Sequence, residues 1–288
     1  MKDAAKLLLY FAVSILVGAL LAPPLFWLAQ SLFPSLAEFG FERFFHRALL
    51  IAAGILLWPF LRMTKVRAMA DVDLAPNSRW SRDLLAGFLL ATVPLLCCGA
   101  VLVTIRFYSL RHGFAWSSFG KTAIASVTVP FIEEALFRGI ILGVLLRSGW
   151  KNMSILVTSA LYSLVHFLKA PERPAEVVTW FSGFKSIAHS FDRFFDPMLV
   201  ASAFTTLFVI GWIMADARIR TRSLWMPIGL HAGWIFAAGS FNAAARRQIM
   251  ALPWLGKDLL VGIIPLIVAA LTWLLIFLWL KNERARKI

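Results

Sequence analysis

The sequence predicts an all-α protein: a polytopic membrane helix bundle with about eight transmembrane helices. Three observations carry this expectation. Of 288 residues, 60% are hydrophobic and only 15% are charged, whereas about a quarter of a soluble domain is charged. The apolar residues lie in blocks, several of them near the roughly 20 residues that a helix needs to cross the hydrocarbon core. Lys and Arg cap those blocks, as at Arg218, Arg220, Arg222, Lys281 and Arg284, which suits lipid headgroups and topology control.

The first block covers residues 5–33. Lys2 and Lys6 followed by an apolar run are similar to a signal peptide, but the run continues past Pro23 and Pro24 to Phe33 with no clear small-residue cleavage site. The expectation is an uncleaved first helix with a broken second half. A second span is expected at 47–63. A polar connection comes next at 64–83, with a Pro-Asn-Ser turn signal. The third span, 84–106, contains Cys97 and Cys98, adjacent residues that read as small packing side chains rather than a disulfide or metal knuckle. The fourth and fifth spans are expected at 122–146 and 151–168. Pro171 and Pro174 stop the fifth. Residues 177–195 then mix Trp180, Phe181, Phe184, Phe191, Phe194 and Phe195 with Lys185, Asp192 and Arg193, the pattern of an amphipathic helix lying in the interface. The last three spans are expected at 198–217, 223–244 and 258–280. No internal repeat interrupts this series, so residues 1–288 are expected to form one integral-membrane domain.

The net charge is +14. No basic tract interleaved with aromatics accompanies it, so the partners are membrane lipids and not nucleic acid. Lys and Arg are slightly more numerous on the side that holds both termini, which favours cytoplasmic termini; the expected location is a bacterial-type inner membrane.

A charge near a bilayer centre costs about 2.5–3.5 kcal/mol on insertion scales, so polar residues in mid-helix are informative. The fourth span holds Glu133 and Glu134 about halfway along, just after Pro130, which is expected to kink the helix. Glu134 and Arg138 are spaced i,i+4 on one face, in the favoured acid-to-cation order. Glu133 points about 100° away and meets no such cation along its own helix. Burial should raise its pKa into the range of a general base. A purely structural role, knitting helices together, is the alternative. Asp216 is expected to pair with Arg218 and Arg220.

Two histidines fall inside spans: His166 in LYSLVHFLKA and His231 in LWMPIGLHAGWIF. With Glu133 they supply one carboxylate and two imidazoles from three helices. That set can hold a water, or a Zn²⁺ with an open position. His46, His112 and His189 read as solvated or interfacial. There is no G-x-S-x-G, no pair of intramembrane aspartates and no H-E-x-x-H.

The run from Glu133 and Glu134 to Arg138 and Gly139, then a histidine closing the next helix, then His231-Ala232-Gly233-Trp234, resembles the CPBP family. These are type II CAAX prenyl endopeptidases and bacterial abortive-infection-type proteins. The resemblance covers about 120–245. It implies an eight-helix membrane bundle in which Glu133 and His166 activate water. His231 would help stabilise the oxyanion, or bind metal in the metalloprotease view. Glu134 and Arg138 would support the site, and Tyr162 stands where the family often has Phe. The implied activity is intramembrane endopeptidase, on a membrane-associated or lipidated protein or peptide. Ile235 departs from the pattern, since many members have Asn there. Isoleucine cannot donate to an oxyanion, an interaction worth about 2.7–4 kcal/mol in other hydrolases. A catalytically inactive member, acting as an immunity factor or scaffold, is therefore the alternative.

Overall fold

The computed structural model describes residues 2–33, 39–167, 177–249, 251–256 and 259–285. Helices dominate: α1 Lys2–Leu32, α2 Phe41–Thr64, α3 Trp80–Thr104, α4 Trp116–Glu134, α5 Leu142–Leu146, α6 Lys151–Phe167, α7 Ser182–Ser190, α8 Pro197–Leu199, α9 Thr205–Thr221, α10 Trp225–Ala244 and α11 Ile263–Ala285. A π-helical segment, Ala135–Ile141, joins α4 to α5 without a break, and a second, Val200–Phe204, joins α8 to α9. One short antiparallel ladder pairs β1 Tyr108–Leu110 with β2 Ala245–Arg247, Tyr108 opposite Arg247 and Leu110 opposite Ala245.

Helix covers most of each of the eight expected segments. Among the described residues, five helices are long and apolar enough to cross a membrane by length and composition: Asp3–Leu32, Phe41–Thr64, Trp80–Thr104, Pro197–Thr221 and Ile263–Asn282. The helices at 116–146, 151–167 and 225–244 fall outside that set. The first carries Lys121, Glu133, Glu134 and Arg138, the second has only 17 residues, and the third is rich in Gly and Ala. The Pro-rich stretch at 168–176 lies outside the described residues.

The chain forms two compact units, one from residues 1–67 and 165–196, the other from 68–164 and 197–288. In the first, α1 packs along α2. Gly18 lets the backbones approach, since a Cβ there would lie 2.8 Å from Leu49 Cα. Tyr10 donates to Ala53 O at 3.0 Å and stacks on Phe60. The expected break in α1 does not occur, because Pro23 and Pro24 sit inside one helix. Pro23 cannot donate to the carbonyl of Ala19, and that carbonyl abuts Gly183 of α7. The amphipathic segment is α7 followed by a 3-10 turn, Asp192–Phe195.

The second unit is organised around α10. Its Gly229 and Gly233 meet the carbonyls of Leu84 and Phe88 on α3, and Gly87 of α3 meets Met226 O in return. Thr92 donates to Gly233 O at 3.2 Å. Small residues at such spacing let membrane helices pack backbone to backbone. Asp216 of α9 accepts from Arg220 at 2.6 Å and from Trp273 of α11 at 3.0 Å. Arg218, expected on Asp216, instead donates to Asp73 at 2.8 Å. Residues 216 and 218 project about 200° apart on a helix, so one acid cannot serve both cations. The 3-10 turn Met69–Val72 before Asp73 packs its Val72 on Gly139 of the π-helical segment.

Candidate active site in the second unit

The site grows from the end of α4. Pro130 is buried within that helix and removes one backbone hydrogen bond. Immediately after Glu134 the helix widens into the π-helical segment. Such segments are rare and concentrate at functional sites. The wider turn keeps Glu134 and Arg138 within reach of each other while re-aiming the residues beyond them.

Glu134 and Arg138 have fully buried side chains, and Arg138 Nη1 donates to Glu134 Oε1 at 2.9 Å. The other terminal nitrogen of Arg138, Nη2, donates to Gly211 O on α9 at 3.2 Å. The Tyr162 ring of α6 covers the guanidinium, whose carbon lies 4.3 Å from the ring centroid. Tyr162 also meets Phe137 and His231 edge to face. Aromatic faces attract guanidinium groups. Taken together, the buried charge has a carboxylate, a carbonyl and a π-face around it, which is how an intramembrane ion pair becomes tolerable.

Glu134 Oε1 also lies 2.8 Å from His231 Nδ1. An ionised carboxylate only accepts, so Nδ1 carries the proton and donates it. This fixes the ring orientation, as second carboxylates do for histidines in catalytic sites. His231 Nε2 then faces Glu133, whose Oε2 is 3.9 Å away. The Glu133 side chain is 26% exposed, unlike its fully buried neighbour. The two acids therefore differ in place: Glu134 is wholly internal, while the Glu133 side chain reaches accessible space although its Oε2, facing His231, is buried.

Five of the six residues singled out from the sequence converge here: Glu133, Glu134, Arg138, Tyr162 and His231. The sixth, His166, occupies the last turn of α6 and belongs to the first unit. Glu133 and His231 are spaced as two ligands of one ion would be, given Zn–N and Zn–O distances of about 2.0–2.2 Å. Among the described residues, however, no three His, Cys, Asp or Glu side chains are grouped to hold a metal.

Ile235 lies one turn beyond His231 and lines a cavity of about 380 Å³ with Ser118, Lys121, Thr122, Ala125, Ala238, Gly239, Asn242 and Leu260. Gly211 was not legible in the sequence. Its role is a bare carbonyl at a close helix approach, where a Cβ would stand 3.2 Å from Ser159 Cα.

Residues 115–237 match the family model described as type II CAAX prenyl endopeptidase Rce1-like. No curated protein matches the chain, and no solved structure does.

Proposed function

We propose, on the premise that residues 115–237 belong to the Rce1-like family of type II CAAX prenyl endopeptidases, that this membrane protein is an intramembrane endopeptidase. It would cut near the C-terminus or membrane anchor of a membrane-associated or lipidated protein or peptide. The observation that carries this reading is the approach of Glu133 Oε2 to His231 Nε2 at 3.9 Å, above a buried Arg138–Glu134 pair.

Two acceptors at that separation suit one shared water. With its Nδ1 proton donated to Glu134, His231 keeps a lone pair on Nε2. A water between them gives one hydrogen to each group and retains its own lone pairs for attack. Glu133 takes the proton as the oxygen bonds to the scissile carbonyl carbon. The protonated Glu133 then passes that proton to the amine nitrogen as the C–N bond breaks, so one water is added across the peptide bond. Positioned proton transfer of this kind contributes about 10²–10⁴-fold. His166 keeps the water-activating role that the resemblance implies, on motif order alone.

Ile235 favours a second reading, an inactive member acting as an immunity factor or scaffold. It puts an apolar side chain one turn from His231, where many relatives have an amide donor. Comparative proteomics of cells carrying wild type or Glu133→Gln separates the two. A precursor that accumulates only with Glu133→Gln supports hydrolysis. Identical proteomes with an unchanged phenotype support the scaffold.

A further inference from the structure

The cavity beyond Ile235 has a lining chemistry that hydrolysis does not use. One end carries Lys121, Ser118, Thr122 and Asn242, which all offer N–H or O–H donors. The other is apolar, with Ala125, Ile235, Ala238 and Leu260. Its volume of about 380 Å³ falls in the ~300–1,000 Å³ range of small-ligand sites. Among the described residues no acid lines it, and Lys121 has no ion-pair partner. The site is also built closely: Gly239 lacks a Cβ where Thr122 presses against α10.

The surroundings indicate the depth at which the cavity lies. Trp116, at the start of α4, is 73% exposed and Trp254 is 57% exposed. Arg106, Arg111 and Arg246 are exposed at the same end of the α4–α10 pair, and Arg111 Nε donates to the carbonyl of Asn242 at 3.1 Å. Exposed Trp with Arg marks the headgroup level of a bilayer. From Lys121 the outer face of α4 continues as Ile124, Val127 and Phe131, all exposed and spaced i, i+3, i+7 as one stripe.

We propose that this cavity is a binding site for the phosphodiester headgroup of an anionic phospholipid. Lys121 supplies the charge, Ser118, Thr122 and Asn242 donate to the phosphate oxygens, and an acyl chain lies along Ile124, Val127 and Phe131. The headgroup would thereby sit about three helical turns along α10 from His231, about 16 Å by helix rise. The inference goes beyond the proposed hydrolysis, and its readout does not involve cleavage.

The test uses the full chain in nanodiscs of phosphatidylcholine with a minor share of phosphatidylglycerol, released for native mass spectrometry to count retained lipid. Wild type should retain phosphatidylglycerol over phosphatidylcholine. Lys121→Glu should weaken that retention at least about fivefold, the change expected for one cation near a lipid surface, and Lys121→Arg should preserve it. Asn242→Leu should weaken it as well. Lys121 is exposed, so the variants should keep the thermal midpoint of wild type. Equal retention in wild type and Lys121→Glu overturns the proposal. Displacement of the lipid by inorganic phosphate overturns it in favour of a soluble anion. Displacement by a peptide with a free C-terminal carboxylate, but not by its amide, overturns it in favour of substrate.

Discussion

Glu134 Oε1 lies 2.8 Å from His231 Nδ1 and 2.9 Å from Arg138 Nη1, so one carboxylate oxygen joins the cation of its own helix to the imidazole of α10. This relationship separates the two adjacent glutamates into one that is buried and bonded and one that is partly exposed, the latter being the acid proposed to react. It also makes each substitution at the site predict a different outcome.

Replacing Glu133 with Gln should lower cleavage of a native substrate by at least about a hundredfold, the lower bound for losing a positioned base. The side chain is partly exposed and lies outside the buried pair. The thermal midpoint in detergent should therefore stay within error of wild type. A large drop in stability would show that Glu133 is structural after all.

Replacing Glu134 or Arg138 alone should be costly to the fold. Removing one partner of a buried ion pair typically destabilises by about 3–5 kcal/mol. The Glu134→Gln and Arg138→Met double variant should recover part of that loss, since neither charge is then left uncompensated. A double-mutant cycle on thermal or denaturant unfolding in detergent reads this directly, and strict additivity would rule out the coupling.

Tyr162→Phe keeps the ring that covers Arg138 and loses only the hydroxyl's hydrogen bond to that cation, so it should cost about 1–3 kcal/mol. Tyr162→Ala should cost about 3–5 kcal/mol, as other buried aromatic truncations do, and should also loosen His231. Unfolding of the two variants side by side distinguishes the ring from its hydroxyl.

Ile235→Asn tests the two readings of function. If hydrolysis lacks one oxyanion donor here, restoring an amide should raise kcat by up to about a hundredfold with little change in KM. A chain that shows no cleavage with either residue would favour the scaffold.

Gly233→Leu should disrupt α3–α10 packing, because a Cβ there already comes within 2.5 Å of Phe88 O. Overpacking of a tight site costs about 1–3 kcal/mol or more, and the side chain would push α10 and His231 away from Glu134. Reduced thermal stability, together with lost activity, is the expected result in detergent-solubilised protein.

Much of this site was legible in advance because its strongest features are local. The i,i+4 spacing pairs Glu134 with Arg138 and turns Glu133 elsewhere, and nothing beyond helix geometry is needed to see it. Other features were illegible for equally physical reasons. Arg218 stands beside Asp216 in sequence but finds Asp73, 145 residues away, across a fold that no spacing announces. Pro23 and Pro24 have the pattern of a break, yet α1 continues through them. The π-helical widening at 135–141 leaves no mark that a hydrophobic pattern can show.

Composition and periodicity alone determined that the chain is helical and membrane-embedded, and that one mid-helix carboxylate differs from its neighbour. These are consequences of bilayer thickness, charge desolvation and 3.6-residue geometry, all of which act within a single segment. Only the tertiary structure decided how His231 is held. It grips Glu134 by one nitrogen and faces Glu133 with the other because Gly229 and Gly233 set α10 against the backbone of α3. The Glu134–His231 contact joins residues 97 positions apart, and its geometry depends on the close approach of whole helices rather than on any local preference.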